Sequence, residues 1–287
     1  MSGDEAPSPT AELNFPARLL SDLHLGHEVS TIRRSTELEP LLEDGIRTLI
    51  LNGDTLESRL PRFFERSRQM LAELREMCQR RGIELVLLNG NHDPSLWPHD
   101  WLRLAGGQVF ITHGHVFLRF VSPWSSRLRH CRGALEEIEA EYDQTSLRGM
   151  EARYELTRRW SERMIATEVR QSGQGMAAKL KMALHELWPP SRPWNVAKVW
   201  TMLPAIATRF IEQYQPQAGL VLFGHTHRAA WWRRNGRLLV NTGGFVSFAK
   251  PLAVDFLSES QAVIRRVPRR KDHWLAGRTL ARFDAAD

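Results

Sequence analysis

Short apolar runs, several of them rich in β-branched residues, recur along the chain and predict β-strands. The runs that precede polar loops are 17–21, 48–51, 85–88, 109–112 and 220–223. Two helical patterns separate the first three runs. The first has apolar residues at helical spacing, namely Leu38, Leu41, Leu42 and Ile46. The second opens at Pro61 and closes at Gly82. This β-α-β-α-β alternation predicts a parallel sheet with helices packed on its faces.

About a hundred residues separate the fourth run from the fifth, far more than an ordinary connection requires. Apolar residues recur there at helical spacing in four groups, which begin near Leu135, Met150, Met176 and Val196. We therefore expect a helical cap at 122–216, inserted between two strands of a discontinuous core at 15–121 and 217–267. Further strands are predicted at 231–232, 237–240, 252–256 and 262–267, with a hairpin turn at Asn235-Gly236.

The two ends of the chain differ in composition from the core. Residues 1–14 are small, polar and acidic, which predicts a disordered leader without a secretory signal. Residues 268–287 are expected to form a basic tail. The two cysteines, Cys78 and Cys131, suggest no disulfide framework, so we expect a cytoplasmic protein. The longest apolar runs fall short of the ~20 residues that span a bilayer.

Charge is distributed unevenly behind the net value of +6. Residues 1–115 carry 12 basic and 17 acidic residues, residues 116–227 carry 15 and 11, and residues 228–287 carry 12 and 5. An acidic half that can hold cations is thus followed by basic segments that attract anions. The anion can be a phosphorylated small molecule, a nucleic acid or the headgroup surface of a membrane, and charge alone does not choose among them.

A polar block follows each of the five apolar runs named first. The blocks are Asp22-Leu23-His24, Gly53-Asp54, Gly90-Asn91-His92-Asp93, His113-Gly114-His115 and Gly224-His225-Thr226-His227. Open α/β sheets bind their ligands at the carboxyl ends of strands, so we expect these blocks to meet at one edge. Carboxylates, an amide oxygen and imidazoles suit divalent metals, and no thiolate lies near the blocks.

These blocks resemble the calcineurin-like metallophosphoesterase family, whose pattern is D-x-H, G-D, G-N-H-[D/E], H-G and G-H-x-H. All five blocks are present without substitution at a ligand position. The resemblance implies a mixed α/β fold, a four-layer α/β/β/α sandwich, here with the inserted helical cap. It also implies a metal-dependent hydrolase of phosphomonoester, phosphodiester or diphosphate bonds, acting by in-line attack of a metal-bridging hydroxide.

The resemblance assigns a role to most polar residues of the blocks. It implies two divalent ions, Mn²⁺ first, with Fe²⁺ and Zn²⁺ as alternatives. The ligands of the first ion would be Asp22, His24, Asp54 and His227. Those of the second would be Asp54, Asn91, His113 and His225, with Asp54 bridging. His92 would sit beside the leaving-group oxygen as a proton donor, and Asp93 would orient its imidazole.

The sequence gives weaker signals for substrate contacts than for metal ligands. Arginine suits bidentate phosphate recognition, and arginines follow the first polar block and the start of the cap. These candidates are Arg33, Arg34, Arg119, Arg127 and Arg129. His115 either contacts the substrate or serves only in packing, and we favour packing. The expected substrate is a phosphorylated small molecule or a lipid-linked one.

Several branches of the family remain open for the substrate. Phosphoserine/threonine phosphatases are disfavoured, because Thr-Leu-Glu-Ser-Arg follows Asp54 and the third block ends in Asp93. The UDP-2,3-diacylglucosamine diphosphatases of lipid A synthesis are similar in their first block, their inserted helices and their peripheral membrane contact, expected here through the basic cap and tail. They usually have Arg where His92 stands. Some members of the fold are non-catalytic scaffolds with degraded sites, whereas the ligand positions here are intact.

Overall fold

The protein is described here by a computed structural model that covers residues 13–58, 60–125, 128–143, 145–171 and 191–285. The chain divides into two compact units, Met1–His113 with Gln215–Asp287, and Gly114–Tyr214. The first unit contains both large sheets, and the second is helical where it is described. The predicted mixed α/β class with two sheets is confirmed. The predicted boundaries of the cap, 122–216, stay a prediction.

The larger sheet has six strands within the described residues, and the three strands at one side of it are parallel. Its strands are β1 (Ala17–Leu20), β2 (Thr48–Asn52), β3 (Glu84–Leu88), β9 (Leu252–Phe256), β10 (Gln261–Arg266) and β13 (Thr279–Asp284). Their spatial order is β13-β10-β9-β1-β2-β3. β1 pairs in parallel with β2, and β2 with β3, whereas β9, β10 and β13 continue the sheet by antiparallel pairing.

The smaller sheet has five strands in the order β4-β5-β6-β8-β7. These are β4 (Trp101–Leu104), β5 (Val109–Thr112), β6 (Leu220–Phe223), β7 (Ala230–Arg234) and β8 (Arg237–Asn241). β5, β6 and β8 are parallel to one another, and β4 and β7 are antiparallel edges. β4 was not predicted as a strand. Its residues are mostly buried, so its apolar pattern does not alternate.

The two sheets pack face to face through alternate residues of their strands. Leu19, Ile50 and Val254 of the larger sheet share one buried cluster with Ile111 and Leu222 of the smaller sheet. Because side chains alternate across a strand, their neighbours in sequence point to the opposite face. The β-strand periodicity therefore produces the central layers of the predicted sandwich.

The opposite face of the larger sheet is covered by helical segments. α1 (Pro61–Arg80) begins at its proline, as predicted, and packs Leu71 and Leu74 against Leu51 and Leu87 of the sheet. The predicted first helix is instead a 3-10 helix, Ser35–Leu42, with Pro40 inside it. Proline lacks the N–H that an α-helical turn requires and clashes with the preceding turn, so a regular α-helix does not form there.

The predicted basic tail, 268–287, continues the fold, which corrects the expectation that the core ends at residue 267. β11 (Arg269–Arg270) and β12 (His273–Trp274) form a short hairpin, and Trp274 is buried against Phe245. β13 then pairs with β10 at the edge of the larger sheet. Charged residues are common on exposed edge strands, where they discourage pairing with another chain. Because of its basic composition, this segment was not predicted to contain a strand.

The second unit contains three α-helices within its described residues: α2 (Leu128–Ala140), α3 (Met150–Gln171) and α4 (Ser191–Tyr214). Leu135, Leu156 and Trp160 form its core with Phe120, and the Trp160 indole N–H donates to the carbonyl of Leu135 at 3.1 Å. The predicted helical group around Met176 lies outside the described residues. None of the helices in the described ranges combines the length and apolarity needed to cross a membrane.

A buried ion pair ties β1 to β9. The Arg18 guanidinium is fully buried and donates to the Asp255 carboxylate at 2.6 and 2.9 Å and to the Leu41 carbonyl at 3.0 Å. Removing one partner of a buried pair leaves an uncompensated charge. Arg265 also donates to Asp255, at 2.7 Å, and limits the loss.

We expect Arg18→Ala to lower the free energy of unfolding by about 2–3 kcal/mol, somewhat below the usual cost of breaking a buried pair. Urea titration followed by far-UV circular dichroism measures this change. The matched control is Arg80→Ala, since Arg80 pairs with Glu76 on the exposed surface of α1. It should cost about 0.5 kcal/mol or less. Equal losses in the two variants would contradict the role of burial.

Candidate metal centre

The loops that leave five parallel strands deliver the polar blocks to one place. Asp22 follows β1, and its main-chain N–H donates to the carbonyl of Gly53, just beyond β2, at 3.2 Å. Likewise the N–H of Gly224, beyond β6, donates to the carbonyl of His113, beyond β5, at 2.9 Å. Main-chain hydrogen bonds thus connect neighbouring strand ends within each sheet. The carboxyl ends of both sheets supply the side chains of one cluster.

The first ligand group consists of Asp22, His24, Asp54 and His227, whose donor atoms all lie within 4.8 Å of one another. The Nε2 atoms of His24 and His227 are 3.1 Å apart. Asp22 Oδ1 lies 3.2 Å from Nε2 of His227, and Asp54 Oδ2 lies 3.6 Å from Nε2 of His24. This donor set of two imidazoles and two carboxylates suits a borderline divalent cation.

The second group consists of Asp54, His113 and His225, and Asn91 adjoins it. The Nδ1–H of His113 donates to the main-chain carbonyl of Asn52 at 3.0 Å, so Nε2 is the atom left for a cation. That Nε2 faces Asp54 Oδ2 and Asn91 Oδ1, each at 3.3 Å. Asp54 belongs to both groups, as a bridging carboxylate must. The residues present therefore fit a pair of divalent ions.

Electrostatics in the cluster favour added positive charge. Burial opposes ionisation of Asp54, but the charges of His113, His92 and His24 hold the pKa of Asp54 well below its ordinary value. Burial alone would lower the pKa of His113, yet the carboxylates of Asp54 and Asp22 raise the pKa of His113 to about 10. Burial lowers the pKa of His24 well below its ordinary value. Buried carboxylates of this kind attract a proton or, in its place, a metal ion.

Five of the predicted ligands adopt a left-handed backbone conformation that non-glycine residues rarely take. Their φ angles are 54° for Asp22, 46° for His24, 49° for Asp54, 68° for His225 and 55° for His227. Each such residue costs on the order of 1 kcal/mol or more and persists only where its surroundings impose it. Strain concentrated on the polar blocks is typical of a functional site.

Glycines of the blocks allow the loops to approach the carboxylates closely. A Cβ on Gly90 would lie 2.2 Å from the main-chain nitrogen of Asp54 and 2.3 Å from its Oδ1. One on Gly224 would lie 2.0 Å from Oδ2 of Asp22. Neither gap accommodates a methyl group, so these glycines set the positions of the two carboxylates.

We expect Gly90→Ala to displace Asp54, to weaken metal binding at least about tenfold and to cost about 1–3 kcal/mol of stability through overpacking. Metal titration and thermal unfolding measure the two effects. Gly133→Ala is the control, because a Cβ at Gly133 in α2 meets nothing within 4 Å. It should leave metal affinity unchanged and stabilise the helix by up to about 1 kcal/mol. Normal metal affinity in Gly90→Ala would contradict the close approach.

His92 enters the cluster with a different partner from the one predicted. Its Nδ1 lies 2.7 Å from Oε2 of Glu57, a fully buried carboxylate, and its Nε2 lies 3.8 Å from Oδ2 of Asp54. Nε2 of His27 lies 3.7 Å from the same oxygen of Glu57. Sequence reasoning missed Glu57. The available signal was its position in the loop after β2, three residues beyond Asp54.

Asp93 does not orient the His92 imidazole, which corrects its predicted role. Its carboxylate accepts hydrogen bonds from the main-chain N–H groups of Gly90, Asp54, Thr55 and Leu56, at 2.8 to 3.0 Å. Burial, together with the charge of Asp54, raises the pKa of Asp93 to about 6. Asp93 therefore fastens the loop after β2 to the loop after β3 and acts through the position of Asp54.

The predicted substrate residues belong to two different units. In the first unit, Arg33 donates to the carbonyl of Glu28 at 3.4 Å, and Arg34 pairs with Asp272 at 3.9 Å. In the second unit, Arg119 is held by Glu139 at 2.7 Å, Arg129 is exposed, and His115 is buried in a short 3-10 helix. Arg127 lies outside the described residues. Their proposed contacts with a substrate stay predictions.

Comparison with known proteins shows which family the chain is similar to. The family description that matches residues 16–229 is calcineurin-like phosphoesterase. No curated protein matches. Solved structures that are similar include a predicted phosphoesterase from Streptococcus pneumoniae, at 13% identity and TM-score 0.40, covering 94% of this chain and 97% of that one. A dimetal phosphatase from Danio rerio is similar at 12% identity and TM-score 0.43, covering 92% and 99%.

A third similar structure is the zinc complex of Vps29 from Entamoeba histolytica, at 13% identity and TM-score 0.41, covering 93% of this chain and 99% of that one. The family match spans well over half of the chain and includes all five polar blocks. The chain belongs to the calcineurin-like phosphoesterase family.

Proposed function

We propose that this protein is a hydrolase of phosphoric esters that works with two divalent metal ions held by the cluster. The observation that carries the proposal is the sharing of Asp54 by two groups of ligand atoms, each group within 4.8 Å. Asp22, His24 and His227 would complete the first ion's ligands. Asn91, His113 and His225 would complete the second's. Bound there, such ions polarise a phosphoryl group and supply a nucleophile at neutral pH.

The protein's own residues would divide the remaining work. His92 is 13% exposed, so a substrate can reach it while its Nδ1 stays on Glu57. With Nδ1–H donated to the carboxylate, Nε2 is turned toward Asp54 and the ester that would lie there. As the doubly protonated imidazolium, His92 would donate the Nε2 proton to the oxygen that leaves and would return to the neutral form with its Nδ1–H still on Glu57. Burial of Asp22, Asp54 and His113 excludes water from these three ligands.

The metal dependence of hydrolysis tests the proposal directly. Protein stripped with a chelator should be inactive toward p-nitrophenyl phosphate and bis-p-nitrophenyl phosphate. Added Mn²⁺ should restore hydrolysis and bind at two ions per chain, with Fe²⁺ and Zn²⁺ as the alternatives to compare. Activity that survives complete removal of metal would overturn the proposal. A titration that saturates at one ion per chain would contradict the proposal that two ions bind.

The nature of the substrate needs a separate screen. Cyclic nucleotides test phosphodiester bonds, and nucleotide-sugar diphosphates and lipid-linked diphosphates test diphosphate bonds, while p-nitrophenyl phosphate already tests a phosphomonoester. Hydrolysis of UDP-2,3-diacylglucosamine would support the lipid A branch. A preference for soluble esters would exclude it.

A further inference from the structure

A cavity of about 370 Å³ lies in the first unit, among the start of β9, the end of β10 and the β11–β12 hairpin. Its walls are largely apolar. Leu252, Val267 and Trp274 line it as buried residues, and Trp231 and Leu280 line it as more accessible ones. Cavities of roughly 300–1,000 Å³ with mostly apolar walls and a few polar groups are typical of small-molecule sites.

Three cations also line this cavity, namely Lys250, Arg266 and Arg269. Arg269 is already held, since its Nη2 lies 3.1 Å from Glu37 and its guanidinium lies 5.8 Å from the Trp274 ring. Lys250 and Arg266 are exposed, and no carboxylate lies within 4 Å of either among the residues that the structure describes. The described lining contains no acidic residue. The cavity therefore combines apolar walls with positive charge that is not neutralised locally.

We propose that this cavity binds a small amphiphilic anion, with an aromatic or acyl body and a carboxylate, sulfonate or phosphate group. The body would lie against Leu252, Val267 and Trp274. Its charged group would accept hydrogen bonds from Lys250 and Arg266, which hold no carboxylate of their own within the described chain. A neutral apolar ligand would leave the two cations without a counter-charge, and a plain inorganic anion would not use the apolar walls.

The cavity is separated from the metal cluster by the turn Gly243–Gly244. A Cβ on Gly244 would lie 2.7 Å from the Asp22 Cβ and 3.4 Å from the His227 ring. One on Gly243 would lie 2.7 Å from the Lys250 carbonyl oxygen and 3.0 Å from the Ala229 Cβ. The two glycines thus touch predicted ligands on one side and cavity-lining residues on the other. The cavity is lined by residues other than the predicted metal ligands.

The test uses 8-anilinonaphthalene-1-sulfonate as the probe, because it carries an aromatic body and one sulfonate. Its fluorescence is measured by energy transfer from tryptophan in the full chain, and decanoate serves as a competitor of the same chemical class. We expect saturable binding of one probe molecule per chain, displaced by decanoate. The double variant Lys250→Glu/Arg266→Glu should weaken binding by at least about tenfold, the effect of losing one charged hydrogen bond.

The matched control is Arg233→Glu/Arg282→Glu, which makes the same charge change at exposed arginines outside the cavity lining. It should keep wild-type probe affinity. Binding that is unchanged in the cavity variant, or weakened equally in both variants, would overturn the proposal. The same titration in Asp54→Asn should give wild-type affinity, which separates this site from the metal centre.

A lipid surface is the other way to use these cations, and vesicles of phosphatidylglycerol distinguish it. If the basic residues serve a membrane surface, both double variants should lose co-sedimentation with vesicles while probe binding stays unchanged. That outcome would overturn the proposed cavity site in favour of a membrane-binding surface. Loss of probe binding in the cavity variant alone, with equal vesicle binding in the two variants, would support it.

Discussion

Replacing Asp54 by Asn is expected to abolish hydrolysis and to reduce the metal content from two ions to one or none. The change keeps an oxygen that can accept the His92 main-chain N–H, now donated to Oδ1 at 2.8 Å, so the loop is retained. It removes the negative charge that both ligand groups share. We expect the rate to fall at least about a thousandfold, which corresponds to roughly 4 kcal/mol of barrier.

Metal analysis by mass spectrometry and kcat/KM toward p-nitrophenyl phosphate measure the two effects. Asp272→Asn is the control, because Asp272 is exposed and pairs only loosely with Arg34, at 3.9 Å. It should retain both ions and full activity. An Asp54→Asn protein with two tightly bound ions would show that the carboxylate is not the bridge, even if activity were lost.

The strands were more predictable from the sequence than the helices. Each apolar run before a polar block is a strand, and the predicted bounds differ from the observed ones by one residue at most, as for β1 and β2. Buried strands of a two-layer core are short and apolar throughout, so pattern alone identifies them. The 3-10 helix at Ser35–Leu42 and the edge strand β13 were not predicted correctly. Pro40 prevents a regular α-helix in the first segment, and the charged residues of β13 mask the apolar pattern by which a strand is recognised.

The residues of the site were also predictable only in part. Spacing along the chain identified residues that the structure brings together, because each follows a strand and parallel strands end at one edge. Sequence does not show which main-chain groups a side chain will meet. Asp93 therefore received the wrong partner, since its acceptors are filled by main-chain N–H groups of two loops. Glu57 was missed because its pairing with His92 spans 35 residues.

Glu57 should act on catalysis only through His92. The Glu57 carboxylate is buried and lies 2.7 Å from His92 Nδ1, so it fixes the ring orientation and stabilises the imidazolium form, whose Nε2–H is the proton to be donated. We expect Glu57→Gln to lower kcat by about 10- to 100-fold, the usual effect of losing a partner that orients a functional imidazole. KM and metal content should stay near the wild-type values, because neither proposed metal site uses Glu57.

His92→Ala should lower kcat by about a hundredfold or more, the contribution typical of a positioned proton donor. If Glu57 works through His92, adding Glu57→Gln to His92→Ala should cause no further loss, and the double-mutant cycle measures this coupling. Independent losses that multiply would contradict a positioning role. His24, Glu57 and His92 also place donor atoms within 4.8 Å of one another. Loss of a metal ion in Glu57→Gln would show that this trio holds a cation, and His92 would then be a ligand rather than an acid.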